Sequence, residues 1–249
     1  MNHLEVRGLV KRFGGLLATD HVDLDLARGE LHAVIGPNGA GKTTLINQLS
    51  GEILPDAGRI VFDGQDLTHE PPFRRAMAGL GRSFQITSVF NDFSVLQNTA
   101  LAVQAHAGHS FRFWKPAASE RALTEPALAA LRRVGLLDRA QVPVASLAHG
   151  ERRQLEIAMV LATGAKCLLL DEPMAGMSPA ESEAVVALLQ ELKGEHTILL
   201  VEHDMDAVFA LADRLTVLVY GRPIATGTPD QIRNHPEVRE AYLGEAEHR

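Results

Sequence analysis

Aromatic residues are scarce. They make up 5% of the 249 positions, with one tryptophan and two tyrosines, so the core has to be built from aliphatic side chains. A single cysteine, Cys167, excludes any intrachain disulfide. That suits a reducing compartment, and the three leucines that follow mark Cys167 as a small buried hydrophobe. No segment approaches the ~20 consecutive apolar residues of a membrane helix; residues 157–165 are apolar but too few. The first eleven residues carry charges and no apolar signal region. The expectation is a soluble, cytoplasmic chain that another subunit holds at a membrane if it works there. Positive charge is also in deficit, 24 Lys and Arg against 31 Asp and Glu, a net charge of −7. A non-specific nucleic-acid binder needs a basic face, so this balance counts against that class.

What the chain does have is ordinary globular material. It is 46% apolar and 22% charged, enough for a sizeable core and too apolar for wholesale disorder. Its length fits one large domain, or a main domain with an inserted lobe. Leu4, Val6 and Leu9–Val10, then Val22, Leu24 and Leu26, fall among polar residues as half-buried strands do. Leu31 to Ile35 is a nearly continuous apolar run ending at Gly36, the pattern of a strand buried on both faces. Lys42 to Ser50 predicts a short helix stopped by Gly51, and Arg59 to Phe62 followed by Asp63-Gly64 predicts a hairpin.

From about Ser94 to Thr163 helical signals dominate, the expected extent of an inserted lobe. Ser94 caps one helix. Thr124-Glu125-Pro126 opens a second, with Leu128, Leu131 and Val134 on one stripe and Gly135 at its end. A third covers 151–163. Residues 106–118, with Trp114, read as loop. Two strands, 166–170 and 197–201, then flank a helix that Ser178-Pro179-Ala180-Glu181 caps, which reads as a crossover onto a parallel sheet. A hairpin turns at Gly221, and Thr228-Pro229-Asp230-Gln231 caps a C-terminal helical extension over about 228–249. The class is α/β.

Gly36, Pro37, Asn38, Gly39, Ala40, Gly41, Lys42, Thr43 and Thr44 form G-x-x-x-x-G-K-[ST]-T between a strand and a helix. Glycines let backbone N–H groups turn around phosphate oxygens, and the helix N-terminus adds partial positive charge. Lys42 is expected to reach the β- and γ-phosphates, and the Thr43 hydroxyl to ligate Mg²⁺. Asp171-Glu172 ends the 166–170 strand, beside the phosphate loop in the usual crevice of α/β sheets. Asp171 is expected to hold Mg²⁺, and Glu172 to take a proton from the attacking water or orient it.

With these in order come Gln85 after a strand, Leu147-Ala148-His149-Gly150-Glu151 before the Asp-Glu pair, and His203 after the next strand. The whole chain resembles the ATP-binding cassette of ABC transporters. It is most similar to the ATP-binding subunit of branched-chain amino-acid importers, through residues 147–150, 155–158, 171–173, 175–179, 202–205 and 241–246. The resemblance implies a P-loop fold with an N-terminal antiparallel β subdomain, a mixed sheet core and an inserted helical lobe. It implies ATP and Mg²⁺ as cofactors, Phe13 stacked on adenine, Gln85 at Mg²⁺ or the water, and His203 at the γ-phosphate. Residues 147–151 would bind the γ-phosphate held by a second cassette, identical or paralogous. Membrane-spanning permease subunits and, indirectly, a periplasmic binding protein would be partners, with the chain peripheral on the inner membrane face. Two departures stand out. Ala148-His149 and Glu151 replace the common Ser-Gly and Gln, and Ser178 stands where many relatives have aspartate. The competing readings are a non-transport cassette acting on DNA or ribosomes, and a nucleotide-binding regulator that does not hydrolyse.

Overall fold

The computed structural model describes residues 2–83, 89–107 and 121–246. Strands β1 (Asn2–Phe13) and β2 (Leu16–Ala27) form a long hairpin. Strand β3 (Leu31–Ile35) leads through the glycine-rich loop into helix α1 (Lys42–Ser50). Strands β4 (Ala57–Phe62) and β5 (Gln65–Asp66) complete an antiparallel sheet ordered β2-β1-β4-β5. Helix α2 (Pro72–Ala78) and strand β6 (Leu80–Arg82) follow, then α3 (Val95–Ala107), α4 (Arg121–Arg133) and α5 (His149–Ala162). The chain returns through β7 (Cys167–Asp171), α6 (Pro179–Leu192), β8 (Thr197–Val201), α7 (Met205–Leu211), β9 (Arg214–Val219) and β10 (Arg222–Gly227). Helices α8 (Pro229–Arg233) and α9 (Pro236–Ala246) close the described chain. The second sheet is ordered β10-β9-β3-β8-β7-β6 and is parallel except for β10 on β9.

The second sheet explains the continuous apolar runs. Successive strand residues point to opposite faces, and both faces are covered. Leu31, Ala33, Leu168, Leu170, Ile198 and Leu200 pack toward α5, α6 and α7. Val34, Leu169, Leu199 and Val201 pack with α1 and the first sheet, against Leu4, Val6, Leu24 and Phe62. Cys167 lies in this second layer, fully buried, and burial pushes its thiol up to about 12, so it behaves as a hydrophobe.

Short-range signals place many ends where expected. Ser94 and Gln97 cap α3 reciprocally, the Gln97 N–H donating to Ser94 Oγ at 3.1 Å and the Ser94 N–H to Gln97 Oε1 at 2.7 Å. Tyr220 (φ 49°) and Gly221 (φ 79°) make the β9–β10 turn, the two left-handed residues a twisted hairpin favours. Helix α4 departs from expectation. It begins at Arg121 and runs through Pro126, which neither opens nor breaks it. The extra turn buries Leu123 and Ala127 against Ala100 and Val103 of α3, and this packing outweighs the backbone bond that proline forgoes. Helices α2 and α7 were not expected, and the C-terminal extension divides into α8 and α9.

Arg75 of α2 is fully buried, and among the described residues no carboxylate forms an ion pair with it. Its guanidinium donates to the carbonyls of Gln48, Leu49, Thr68 and Glu70 at 2.7–2.9 Å, and so closes the C-terminus of α1. Cations suit that end of a helix. Arg75→Met should lower the unfolding free energy by about 3 kcal/mol, because the stranded carbonyls keep their desolvation cost. Urea melts read this, and an unchanged midpoint would show that the carbonyls find other donors.

Candidate functional site

The glycine-rich loop is held too tightly for side chains. A Cβ on Gly36 would lie 2.1 Å from the Leu218 carbonyl oxygen, and one on Gly41 2.1 Å from that of Ala18. Gly41 (φ 101°) caps α1 with no side-chain acceptor, so the first-turn amides remain available to an anion. The Ala40 carbonyl accepts from the Gly221 N–H, tying the loop to the β9–β10 turn. Pro37 is half-buried, Asn38 and Gly39 are exposed, and Thr43 and Thr44 sit in the open first turn. Lys42 is only 7% exposed. Its ammonium donates to the carbonyls of Gly36 (2.6 Å) and Pro37 (3.0 Å), folded back across the loop.

Asp171, Val201 and Val34 stand level on adjacent parallel strands, so the residues after them converge at one sheet edge. Asp171 is 1% exposed, and burial raises its carboxyl above the usual range. Neither of its oxygens accepts a hydrogen bond among the described residues. The nearest cation is Arg82, with Nη2 at 3.5 Å. Glu172 takes a left-handed conformation (φ 48°) and donates its N–H to the Val201 carbonyl. Its carboxylate lies 4.0 Å from Nδ1 of His203, whose ring is largely exposed.

Two further residues shape this edge; the sequence reading passed over Glu202 and gave Glu181 only as part of a helix cap. Glu202 is fully buried, and burial raises its carboxyl. It accepts the N–H groups of Met174 (2.9 Å) and His203 (3.0 Å), pinning the segments after Glu172 and after β8 together. Its only local signal is its place at the end of an apolar strand. Glu181 completes the cap of α6 with Ser178, and its other oxygen accepts the Gly150 N–H of α5 at 3.1 Å.

The 147–151 segment forms the start of α5, with Ala148 at the cap position. Glu151 turns inward, accepting the Ala148 N–H at 2.9 Å and pairing with Arg139 at 2.8 Å. His149 meets the Ala175 carbonyl at 3.2 Å. Phe13 ends β1, 46% exposed, with the Lys11 ammonium 5.7 Å from its ring centre. Gln85 lies outside the described residues, as do Ile86 to Ser88. Phe90 and Phe93 are exposed and stack on each other with centroids 5.2 Å apart, while Val89 packs against the core.

Residues 19–175 match a family model described as ABC transporter. The chain belongs to the ABC transporter family. Residues 222–248 match a second model, described as branched-chain amino acid ATP-binding cassette transporter. The cassette is 43% identical over 250 residues to the high-affinity branched-chain amino acid transport ATP-binding protein LivG of Escherichia coli (strain K12), covering 98% of both chains. It is 42% identical to BraF of Pseudomonas aeruginosa, with the same coverage. Among solved structures it superposes on the ADP conformation of MJ1267, an ATP-binding cassette of an ABC transporter, with a TM-score of 0.87, 30% identity and coverage of 98% and 99%. The fold is therefore that of an ABC cassette, as the sequence led one to expect. The cassette binds nucleotide and hydrolyses ATP, and a transporter of this family joins such a subunit to a membrane permease.

Proposed function

We propose that this cassette powers uptake of branched-chain amino acids through membrane-spanning permease subunits. The observation that carries the reading is the end-to-end likeness to branched-chain cassettes, which extends through residues 222–248. A direct test reconstitutes the cassette with its permease and a periplasmic binding protein in vesicles. ATP-dependent leucine uptake is expected, and uptake of only an unrelated solute would overturn the substrate class. No observation favours the nucleic-acid reading.

The residues fit Mg²⁺. Asp171 is a buried carboxylate whose oxygens accept no hydrogen bond among the described residues, and Thr43 offers an exposed hydroxyl. No cluster of three or more His, Cys, Asp or Glu side chains suited to a metal forms among the described residues. The cation would thus rest on Asp171, Thr43 and the nucleotide's own phosphates. Bound there, Mg²⁺ supplies charge neutralisation for the transferring phosphoryl group. Lys42 leaves the Gly36 and Pro37 carbonyls for the β- and γ-phosphates, and Phe13 stacks on the adenine. Glu172 accepts a proton from the attacking water. His203 senses the γ-phosphate, Gln85, outside the described residues, has the role of touching Mg²⁺ or the water, and residues 147–151 of a second cassette close the site.

No helix among the described residues is long and apolar enough to cross a membrane. In this reading the permease holds the cassette at the cytoplasmic face. A groove of about 340 Å³ between α2, β6, α3 and α5, lined by Phe73, Ala76, Leu80, Val89 and Met159, receives it. Phe73, Met77 and Phe90 expose more than half of their surface near this groove or on the segment leading to α3. Phe90→Asp should abolish coupling, so that reconstituted uptake falls while basal ATP turnover stays near wild type. Aggregation or a lowered melting temperature would instead assign Phe90 to the interior of the helical lobe.

A further inference from the structure

The groove and the candidate metal site share one side chain. Arg82, the last residue of β6, has only 9% of its side chain exposed. Its Nη1 lies 2.8 Å from the Glu52 carboxylate and 3.0 Å from the Ser50 hydroxyl, and all three residues line the groove. Its Nη2 lies 3.5 Å from Asp171 Oδ2, on the nucleotide side of the sheet edge. With Glu52 Arg82 forms a close ion pair and with Ser50 a hydrogen bond, whereas the Asp171 contact is too long for a hydrogen bond. A guanidinium is planar and always charged, so it cannot neutralise itself between these partners; it can only move. Movement toward Asp171 sets a positive charge against the carboxylate that would hold the divalent cation. Retention by Glu52 keeps that charge back.

We propose that Arg82 is a positioning residue that passes the state of the groove to Asp171: held by Glu52 it leaves the carboxylate open to the divalent cation, and released it closes on the carboxylate and competes with that cation. This rests on the reading of Asp171 as the metal-holding residue. A groove occupant that takes Glu52 for itself therefore weakens the cation's hold, and one that leaves the Arg82–Glu52 pair intact does not.

The test uses the full chain without permease, a non-hydrolysable ATP analogue and Mn²⁺, with free Mn²⁺ read by electron paramagnetic resonance. Glu52→Gln should weaken Mn²⁺ binding about fivefold or more and Arg82→Gln should tighten it by a similar factor, fivefold being the scale a unit charge exerts across about 4 Å when water screens it fully. The double variant should behave as Arg82→Gln alone, because Glu52 acts through Arg82. Lost packing does not produce opposite signs and this dependence. Shifts in the same direction, additive shifts, or no shift would overturn the proposal. Asp171→Asn separates the two layers. If it abolishes Mn²⁺ binding while the other variants change nothing, Arg82 alone is misread; if it binds Mn²⁺ normally, the reading of Asp171 falls and the proposal with it. Should Arg82→Gln melt below the assay temperature, Arg82→Met, which keeps the stem and removes the charge, carries the test. Without a cation to release, the Glu52→Gln effect should vanish in that background, and its persistence would refute the link.

Discussion

Glu172→Gln is expected to bind ATP as the wild type does and to lose turnover by about 10²–10⁴-fold, the usual contribution of a general base. Each tenfold loss corresponds to about 1.4 kcal/mol of barrier. The substitution suits the test because it keeps the shape of the side chain. Glu172 holds a left-handed backbone (φ 48°) with its N–H on the Val201 carbonyl, and glutamine leaves both unchanged. Phosphate release measures turnover, and a fluorescent nucleotide measures binding. Near-normal hydrolysis would move the base elsewhere, with His203, 4.0 Å from the Glu172 carboxylate, the next candidate.

The second large effect concerns the sharing of each site between two chains. Lys42→Ala removes the cation facing the β- and γ-phosphates, so nucleotide affinity should fall steeply. Gly150→Asp should be equally inactive for a different reason. A Cβ at Gly150 already lies 2.8 Å from Glu181 Oε1, and an aspartate would set a second carboxylate against the first at the start of α5. Each variant alone should be dead. In a mixed dimer one site carries both defects and the other carries neither, so an equal mixture should recover about a quarter of wild-type turnover if the two sites of a two-fold dimer act independently. No recovery despite demonstrated subunit exchange would mean that the site lies within one chain, that both sites must be intact, or that the working partner is a paralogous cassette. Repeating the mixture with that paralogue and the permease isolates the last case.

The phosphate loop, the Asp171-Glu172 pair and most helix ends were legible before any coordinates because short-range rules decide them. Gly36 and Gly41 stand where a Cβ would strike a carbonyl, Gly51 and Gly221 where the backbone turns left-handed, and Ser178 and Thr228 where a hydroxyl meets a first-turn amide. The runs 31–35, 167–170 and 197–201 signalled strands covered on both sides. Helix α4 was misplaced because its extra turn depends on contacts with α3, which no local pattern around Pro126 carries.

The residues that join one part of the site to another were invisible for the same physical reason. Arg75 serves carbonyls up to 27 positions away, Glu202 fixes an amide 28 positions away, and Glu181 reaches an amide 31 positions away. Arg82 meets Asp171 only because β6 and β7 lie side by side. In the sequence Arg75, Glu202 and Arg82 are unremarked charges, for which a solvated surface is the default expectation, and Glu181 reads only as a helix cap. The sequence by itself determined where the glycine-rich loop would lead from strand to helix and which carboxylates would stand at the strand ends, since both follow from conformational preferences within a few residues. The tertiary structure alone decided which buried charges answer one another, because burial makes a charge find a partner wherever the packed chain supplies one.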